Sequence, residues 1–443
     1  MTIQTTSYWA SRFETLLDTD ELKRRALVTV PPLFNLPSLP VEVACHQLET
    51  ALQTVFYPTE QCITVLKRLV GVAHAHCVAK YPDGKTFLNG LYAQDAPLPN
   101  FSSPICLTGL AGTGKSELIN AFCRVCGNDE QQILVDESHS PFPAKGPWKI
   151  TVQACSSPLE VLCSLTKVKG SLVDLIKKCR RLAYRDGIPC LIGDEFQFAT
   201  GSESANARVA QMLLSLGYIG LPFVFAANFT LIRRLQRRPG EEQQRLLADP
   251  IVLFPDHGKS LDWQNTLKAQ RDVAPDVLIF DPVQDSEALH AYSAGRKRAM
   301  AKLIVLAFRA EFTRSKKVDR EAIRRAYFSS EYAVYRDETE ILTTQAIQNC
   351  PDPKRRDLWC PIPLPNNSAT TFLESSISLR KELLAEAELT AALSIDERRR
   401  VSDVKHAITK GTKKPSQVIP FNNKGKHTAK DLKRNANLYK DKL

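Results

Sequence analysis

Apolar positions follow three successive rhythms along this chain. Over the first hundred residues they recur at helical spacing in short runs broken by proline: "SYWASRFETLLD", "PVEVACHQLETALQTVF" and "TEQCITVLKRLVGVAHAHCVAK". The stretch "YPDGKTFLNGLYAQDAPLPNFSSP" is rich in Pro, Gly, Asp and Asn and reads as a connector. Residues 1–103 are therefore expected to form a mostly helical extension. From residue 104 short apolar runs alternate with helical stretches, the pattern of a parallel sheet with crossover helices. "PICLTG", "WKITVQA", "IPCLIGDE" and "LPFVFAAN" are the expected first to fourth strands and "DPIVLF" the final one, with "SLVDLIKKCRRLAYRDG" and "ARVAQMLLSLGYIG" as helices between them. Residues 282–345 return to helical spacing in "DSEALHAYSAGRKRAMAKLIVLAFRAEF" and "DREAIRRAYFSSEYAVY", which predicts a helical lid after a sheet domain over 104–281. Residues 346–443 read as a linker, a charged helix and a basic flexible tail. The expected fold class is α/β.

In an open parallel sheet the ligand crevice lies at the carboxyl ends of the strands. The first strand ends in "GLAGTGKSE", where Gly109, Gly114, Lys115 and Ser116 satisfy G-x-x-x-x-G-K-[ST]. That spacing presents successive backbone N–H groups to phosphate oxygens at a helix N-terminus, with Lys115 reaching the outer phosphates and the Ser116 hydroxyl binding Mg²⁺. Gly112, Thr113 and Glu117 complete the expected cradle for ATP. The third strand ends in Asp194 and Glu195. A carboxylate at the end of a buried strand is costly unless it serves a cation, so Asp194 is the expected Mg²⁺ holder and Glu195 the residue that polarises attacking water. The alternative is that the pair merely starts a loop. Asn228, ending the fourth strand, either orients that water and senses the outer phosphate or simply forms a turn.

Arginines follow: Arg233, Arg234, Arg237, Arg238 and Arg245 lie between the fourth and final strands. A guanidinium offered to a neighbouring subunit's nucleotide would stabilise transition-state charge, and Arg245 is the first candidate for that finger. Arg298, at the start of a lid helix, either reaches back over the phosphates or is a surface residue. In "LTKVKGSL", between the second strand and the following helix, Lys167 and Lys169 are candidates for phosphate contacts to DNA or are solvated loop lysines.

Composition adds little until charge is considered. The chain has 443 residues, 43% apolar and 24% charged, which suits a globular protein of a few structural units. No apolar run approaches the roughly 18 uninterrupted residues of a membrane helix, and the start of the chain lacks a basic segment leading into an apolar one. A cytoplasmic protein without membrane contact is expected. Of the net +11, a net +9 lies after residue 403, where ten Lys and one Arg face two Asp. Such a tail is either solvated or an arm for nucleic acid or an acidic protein surface. Among twelve cysteines, only Cys123 and Cys126 form a C-x-x-C and no second pair answers them, so buried thiols are expected rather than zinc. His74, His76 and Cys77 sit in a helical apolar stretch and read as core.

Glycine loop, Asp-Glu strand, Asn strand, arginine segment and helical lid, in this order, resemble the AAA+ ATPases over residues 104 to about 330. Within them, "DEFQ" followed by "SANARVAQMLLSLGYIGLPFVFAANFTLIRRL" is similar to the TnsC and TniB regulators of transposition. The likeness extends to "YPDGKTFLNGLYA", "KITVQACSSPLEVLCSL" and "SAGRKRAMAKLIVLAFRAEF". The chain departs from that family at Phe198, where His is common, and at Asn228, where many members carry a small or hydroxyl residue. The resemblance implies an ATP-dependent protein that forms helical or ring homo-oligomers on duplex DNA and links a target-selecting protein to transposase subunits. Two other readings share the ATP motifs: a replication initiator or helicase loader, and a nucleotide-gated interaction switch with negligible hydrolysis. The first would be favoured by a DNA-reading domain after the lid, and none is evident in residues 346–443.

Overall fold

The computed structural model describes residues 7–127, 131–152, 157–196, 203–363 and 371–392. Gln197 and Phe198 of the Asp-Glu motif and the basic tail lie outside these. Residues up to Lys381 form one compact unit, and of the unit beginning at Glu382 only residues up to 392 are described.

Seven strands are present among the described residues: β1 (Ile105–Gly109), β2 (Gln131–Ile133), β3 (Phe142–Ala144), β4 (Trp148–Thr151), β5 (Leu191–Asp194), β6 (Phe223–Ala227) and β7 (Asp249–Leu253). β2 and β3 make a small antiparallel pair, and the other five form a parallel sheet in the order β4-β5-β6-β1-β7. β1, β5 and β6 are buried along their whole length, which is why they read as unbroken apolar runs rather than alternating ones. β7 carries Pro250 and sits at an edge, where the missing N–H costs no ladder bond on its outer side. Both neighbours of β1 come later in the chain, so the strand order reverses there and a crevice opens at its carboxyl end. This is the α/β architecture implied by the resemblance to AAA+ ATPases, with a parallel sheet, a glycine loop after β1 and helices following the sheet.

The N-terminal helices are shared between two cores. Trp9 and Phe13, on the helix Tyr8–Glu14, join the sheet core together with the long helix Glu60–Lys80. Trp9, Tyr81, Phe87 and Tyr184 form an aromatic cluster, with Trp9 to Phe87 centroids 4.6 Å apart and Tyr81 to Tyr184 5.1 Å. Arg12 donates to the carbonyl oxygens of Lys145 (2.8 Å) and Gly187 (2.7 Å), fastening the first helix to the sheet domain. Gly187 has φ 58° and a Cβ there would lie 2.7 Å from the Trp9 ring, so only glycine fits this approach. The helix Val41–Thr54 instead joins Ala44, Cys45, Leu48 and Leu52 to a second core with Leu303 and Ile304 of the helix Lys297–Glu311 and with Trp263 of the helix Leu261–Arg271, so this core begins before the expected boundary at residue 282.

The stretch expected as a connector contains the helix Gly84–Tyr92. Asp83 caps it by accepting from the Thr86 N–H (2.8 Å), and Phe87 enters the aromatic cluster. One capping residue and one buried ring outweigh two glycines of low helix propensity. The helix Glu60–Lys80 is the one described helix long and apolar enough to cross a membrane, with a best-window mean hydropathy of 1.3, and half of that window is buried inside the protein. His76 and Cys77 lie on it within the core, and burial pulls the His76 imidazole down to about 4 and pushes the Cys77 thiol up to about 11. Cys123 and Cys126 lie on the helix after the glycine loop, and burial raises both thiols.

Trp9→Ala should lower stability by about 3–5 kcal/mol, the range for deleting a buried aromatic side chain, because the cavity opens between three fixed rings. Urea denaturation of the full chain measures this, and a loss under about 1 kcal/mol would mean the first helix is not part of the sheet core.

Candidate nucleotide-binding site

The loop after β1 takes its shape from glycines. Gly112 (φ 84°) and Gly114 (φ 101°) occupy the left-handed region, and a Cβ on Gly109 would collide with the Leu253 carbonyl of β7. Gly114 is the N-cap of the helix Lys115–Cys126, and no side chain caps that end. The first N–H groups of this helix therefore point into the crevice as a ready anion site. The Lys115 ammonium donates to the carbonyl oxygens of Gly109 (2.9 Å) and Leu110 (2.8 Å), and Thr113 donates to Leu110 (3.0 Å). Burial, aided by the nearby Arg298 charge, pulls Lys115 down to about 8. Asp194 and Glu195 act in the opposite direction, which places both carboxylates within electrostatic reach of the lysine.

Asp194 ends β5 with 6% of its surface exposed, and its Oδ1 accepts from the Glu195 N–H (2.9 Å). Glu195 has φ 63°, a conformation costing a non-glycine residue roughly 1–2 kcal/mol. It is held there because Phe196 turns back into the core near Phe225 (6.1 Å), lying where any Cβ on Gly193 would be. Strain of this kind is concentrated at functional sites. The buried Thr108 hydroxyl at the end of β1 has no partner among the described residues. An undercapped helix N-terminus, a desolvated lysine held by loop carbonyls, a serine hydroxyl and a buried carboxylate fit a nucleotide polyphosphate with Mg²⁺. Ser116 and Asp194 would hold the metal. Glu117 lies on the first turn and accepts from the Asn120 amide (3.0 Å).

Asn228 caps the helix Phe229–Leu235, its Oδ1 accepting from the Leu231 N–H (2.9 Å). The turn role is thus real. Arg298 lies where a lid residue can meet phosphates: its backbone N–H donates to the Gly112 carbonyl (3.3 Å) and its exposed side chain leaves the loop from a Cβ 3.2 Å from the position of a Gly112 Cβ. Arg245 is far from this chain's own loop. Its guanidinium donates to the Tyr218 hydroxyl (3.2 Å) and lies over the Phe101 ring (5.4 Å), beside residues that precede β6 and β1 at the amino ends of the strands.

The remaining arginines separate by partner. Arg233 donates to the carbonyl oxygens of Arg356 (3.1 Å) and Trp359 (2.9 Å), and Arg238 pairs with Glu242 (2.9 Å), whereas Arg237 is exposed. The region expected as a linker from residue 346 is thus packed where described. The helix Ala333–Gln348 runs across that boundary, and Leu358 and Phe372 join Leu110 of the glycine loop and Phe229 in a small third core. Lys167 and Lys169 are exposed in a loop joining two helices, Pro158–Thr166 and Leu172–Arg185, rather than in one leading from the strand itself. Lys167 closes the first of these in a left-handed conformation (φ 59°). Sequence reasoning missed Lys297 and Asp256, which face each other beside the loop at 4.0 Å; a basic pair before Arg298 and an Asp shortly beyond the final strand were the only signals.

No protein-family model and no curated protein matches this chain. Among solved structures, it is similar to the Aeropyrum pernix ORC1 protein in complex with DNA, at 19% identity and a TM-score of 0.34 over 74% of this chain and 81% of that one. The Aeropyrum pernix ORC2 protein in ADPNP-ADP complexes gives 12% identity and 0.37, over 78% and 85%. Domain III of the Thermotoga maritima replication initiation protein DnaA gives 14% and 0.34, over 55% and 88%.

Lys115 supplies a test of the site. With its ammonium near 8 in the bare loop, a bound polyphosphate raises it toward or above its ordinary value, so binding takes up protons between those limits. Little uptake is expected at pH 7, approaching one proton near pH 9, with affinity falling up to about tenfold per pH unit above 8. Calorimetric titration with ATP in buffers of different ionisation enthalpy measures this, and Lys115→Ala should abolish it.

Proposed function

We propose that this chain is an ATP-dependent, DNA-binding regulator of transposition of the TnsC and TniB kind. It assembles on duplex DNA in the ATP state and links a target-selecting protein to the transposase. The observation that carries the ATPase reading is the convergence of the Lys115 loop, the Asp194–Glu195 strand end and the lid's Arg298 at one crevice. Mg²⁺, when bound, neutralises charge shared by the outer phosphates. Around it, Lys115 binds phosphate, Glu195 accepts a hydrogen bond from the attacking water, and Asn228 offers its amide nitrogen to water or outer phosphate. The position of Arg245 at the opposite end of the sheet supports a finger acting between subunits, which ties hydrolysis to assembly. The transposition reading rests on the resemblance of "DEFQ" and its surroundings, and on exposed lysines outside the ATP site.

Electron microscopy of the protein with duplex DNA, comparing a slowly hydrolysed ATP analogue with ADP and including Glu195→Gln with ATP, tests this reading. Nucleotide-dependent rings or filaments on DNA that persist in Glu195→Gln are expected. A protein that hydrolyses ATP but acts only at a defined origin-like sequence would favour the initiator reading. One that stays monomeric and off DNA in every nucleotide state would leave only a nucleotide-gated switch.

Lys167→Ala with Lys169→Ala should weaken DNA binding in the ATP state about equally on all sequences. It should also lessen the slope of log affinity against log salt by about 0.9 for each DNA phosphate that is no longer neutralised. Anisotropy titrations at several salt concentrations read both quantities, and an unchanged slope would return these lysines to the solvent.

A further inference from the structure

The lid helix Lys297–Glu311 meets the glycine loop with three consecutive cations that are held in different ways. Arg296 is structural. It is 3% exposed, donates to the carbonyl oxygens of Ser293 (3.2 Å) and Tyr335 (3.1 Å) and to the Thr339 hydroxyl (3.2 Å), and pairs with Glu338. Arg298 is exposed and tied to the loop through its backbone. Lys297 lies between them in sequence and resembles neither.

The aliphatic stem of Lys297 crosses the N-cap of the phosphate-binding helix, its Cδ 3.8 Å from where a Gly114 Cβ would stand. Its ammonium donates no hydrogen bond among the described residues. The nearest carboxylate oxygen is Asp256 Oδ2 at 4.0 Å, and the Phe56 ring centroid lies at 5.8 Å. The Lys297 and Asp256 side chains are 21% and 11% exposed, so the pair carries much of its desolvation cost without the close geometry that would offset it. Asp256 is itself poorly placed as an anion: burial and the neighbouring Asp262 raise its carboxyl, and Lys297 with the Thr59 hydroxyl opposes them. A lysine has rotatable bonds beyond Cδ, so rotamer changes alone can carry the ammonium from Asp256 toward the crevice at Gly114.

We propose that Lys297 is a lid-borne phosphate ligand of the nucleotide site, stored against Asp256 until a polyphosphate enters and then exchanged onto it. This rests on the nucleotide-binding reading above. The exchange is favourable because several phosphate charges at the loop outweigh one carboxylate 4.0 Å away.

The test is a double-mutant cycle on the full chain, reading ATP, ADP and adenosine affinities by calorimetry with Mg²⁺. Lys297→Ala should weaken ATP about tenfold or more, the scale of a lost hydrogen bond to a charged group, and leave adenosine unchanged. Asp256→Asn should tighten ATP severalfold, and only while Lys297 is present. Lys297→Arg should recover most of the affinity. Thermal melting without nucleotide monitors folding, and Lys297→Gln takes the place of the alanine variant if that one melts early. Unchanged ATP affinity in a folded Lys297 variant, an equal loss for adenosine, or an Asp256→Asn effect that persists without Lys297 would each overturn the inference while leaving the nucleotide-binding reading intact. A wild-type chain that binds neither ATP nor ADP would overturn both.

Discussion

Close approach at one glycine loop organises this molecule. β7 passes so near Gly109 that no side chain fits between them, and the lid helix rests its first backbone N–H bond on Gly112. A third segment packs Leu358 and Phe372 onto Leu110 of the same loop. Sheet edge, lid and post-lid segment therefore converge on the residues that would cradle phosphate. Interiors packed to crystalline density do not deform smoothly, so a ligand that changes the loop is felt by all three.

The N-terminal helices extend this coupling. One group is bolted to the sheet through Trp9 and Arg12, while the helix Val41–Thr54 belongs to the lid core. The chain between them bridges the two parts on either side of the crevice, and Phe56, where that segment ends, lies beside both Arg124 of the loop helix and Lys297 of the lid. Across the molecule, Arg233 directs its donors to the carbonyls of the segment that follows the lid. Two covalently continuous straps thus span the joint between sheet and lid, and movement at the joint must be accommodated by both.

The chemistry of the site was legible in the sequence wherever it depends on neighbours along the chain. The glycine loop is legible because phosphate binding by backbone N–H groups needs fixed spacing, and Asp194 because a carboxylate ending a buried strand is expensive. Strands β1, β5 and β6 were legible for the same reason of locality, since burial on both faces leaves an unbroken apolar run. The helix Gly84–Tyr92 was hidden by its glycines, because its stability comes from Asp83 at its cap and from rings contributed by distant segments. Arg233 was not distinguishable from Arg245 in a run of similar residues, since the partners that separate them, Arg356 and Trp359 for the first and Tyr218 and Phe101 for the second, are distant in the chain.

The sequence by itself determined the α/β class, the phosphate loop, the Asp-Glu strand end and the presence of a helical segment after the sheet, because periodicity and short-range spacing are local properties. Only the tertiary structure decided which strands flank β1, how the N-terminal helices divide between two cores, that Glu195 is held in a left-handed conformation by Phe196, and that Lys297 and Asp256 meet beside the loop. Those depend on contacts between residues far apart in the chain. Their energies come from burial and close packing, which appear only when distant segments are brought together.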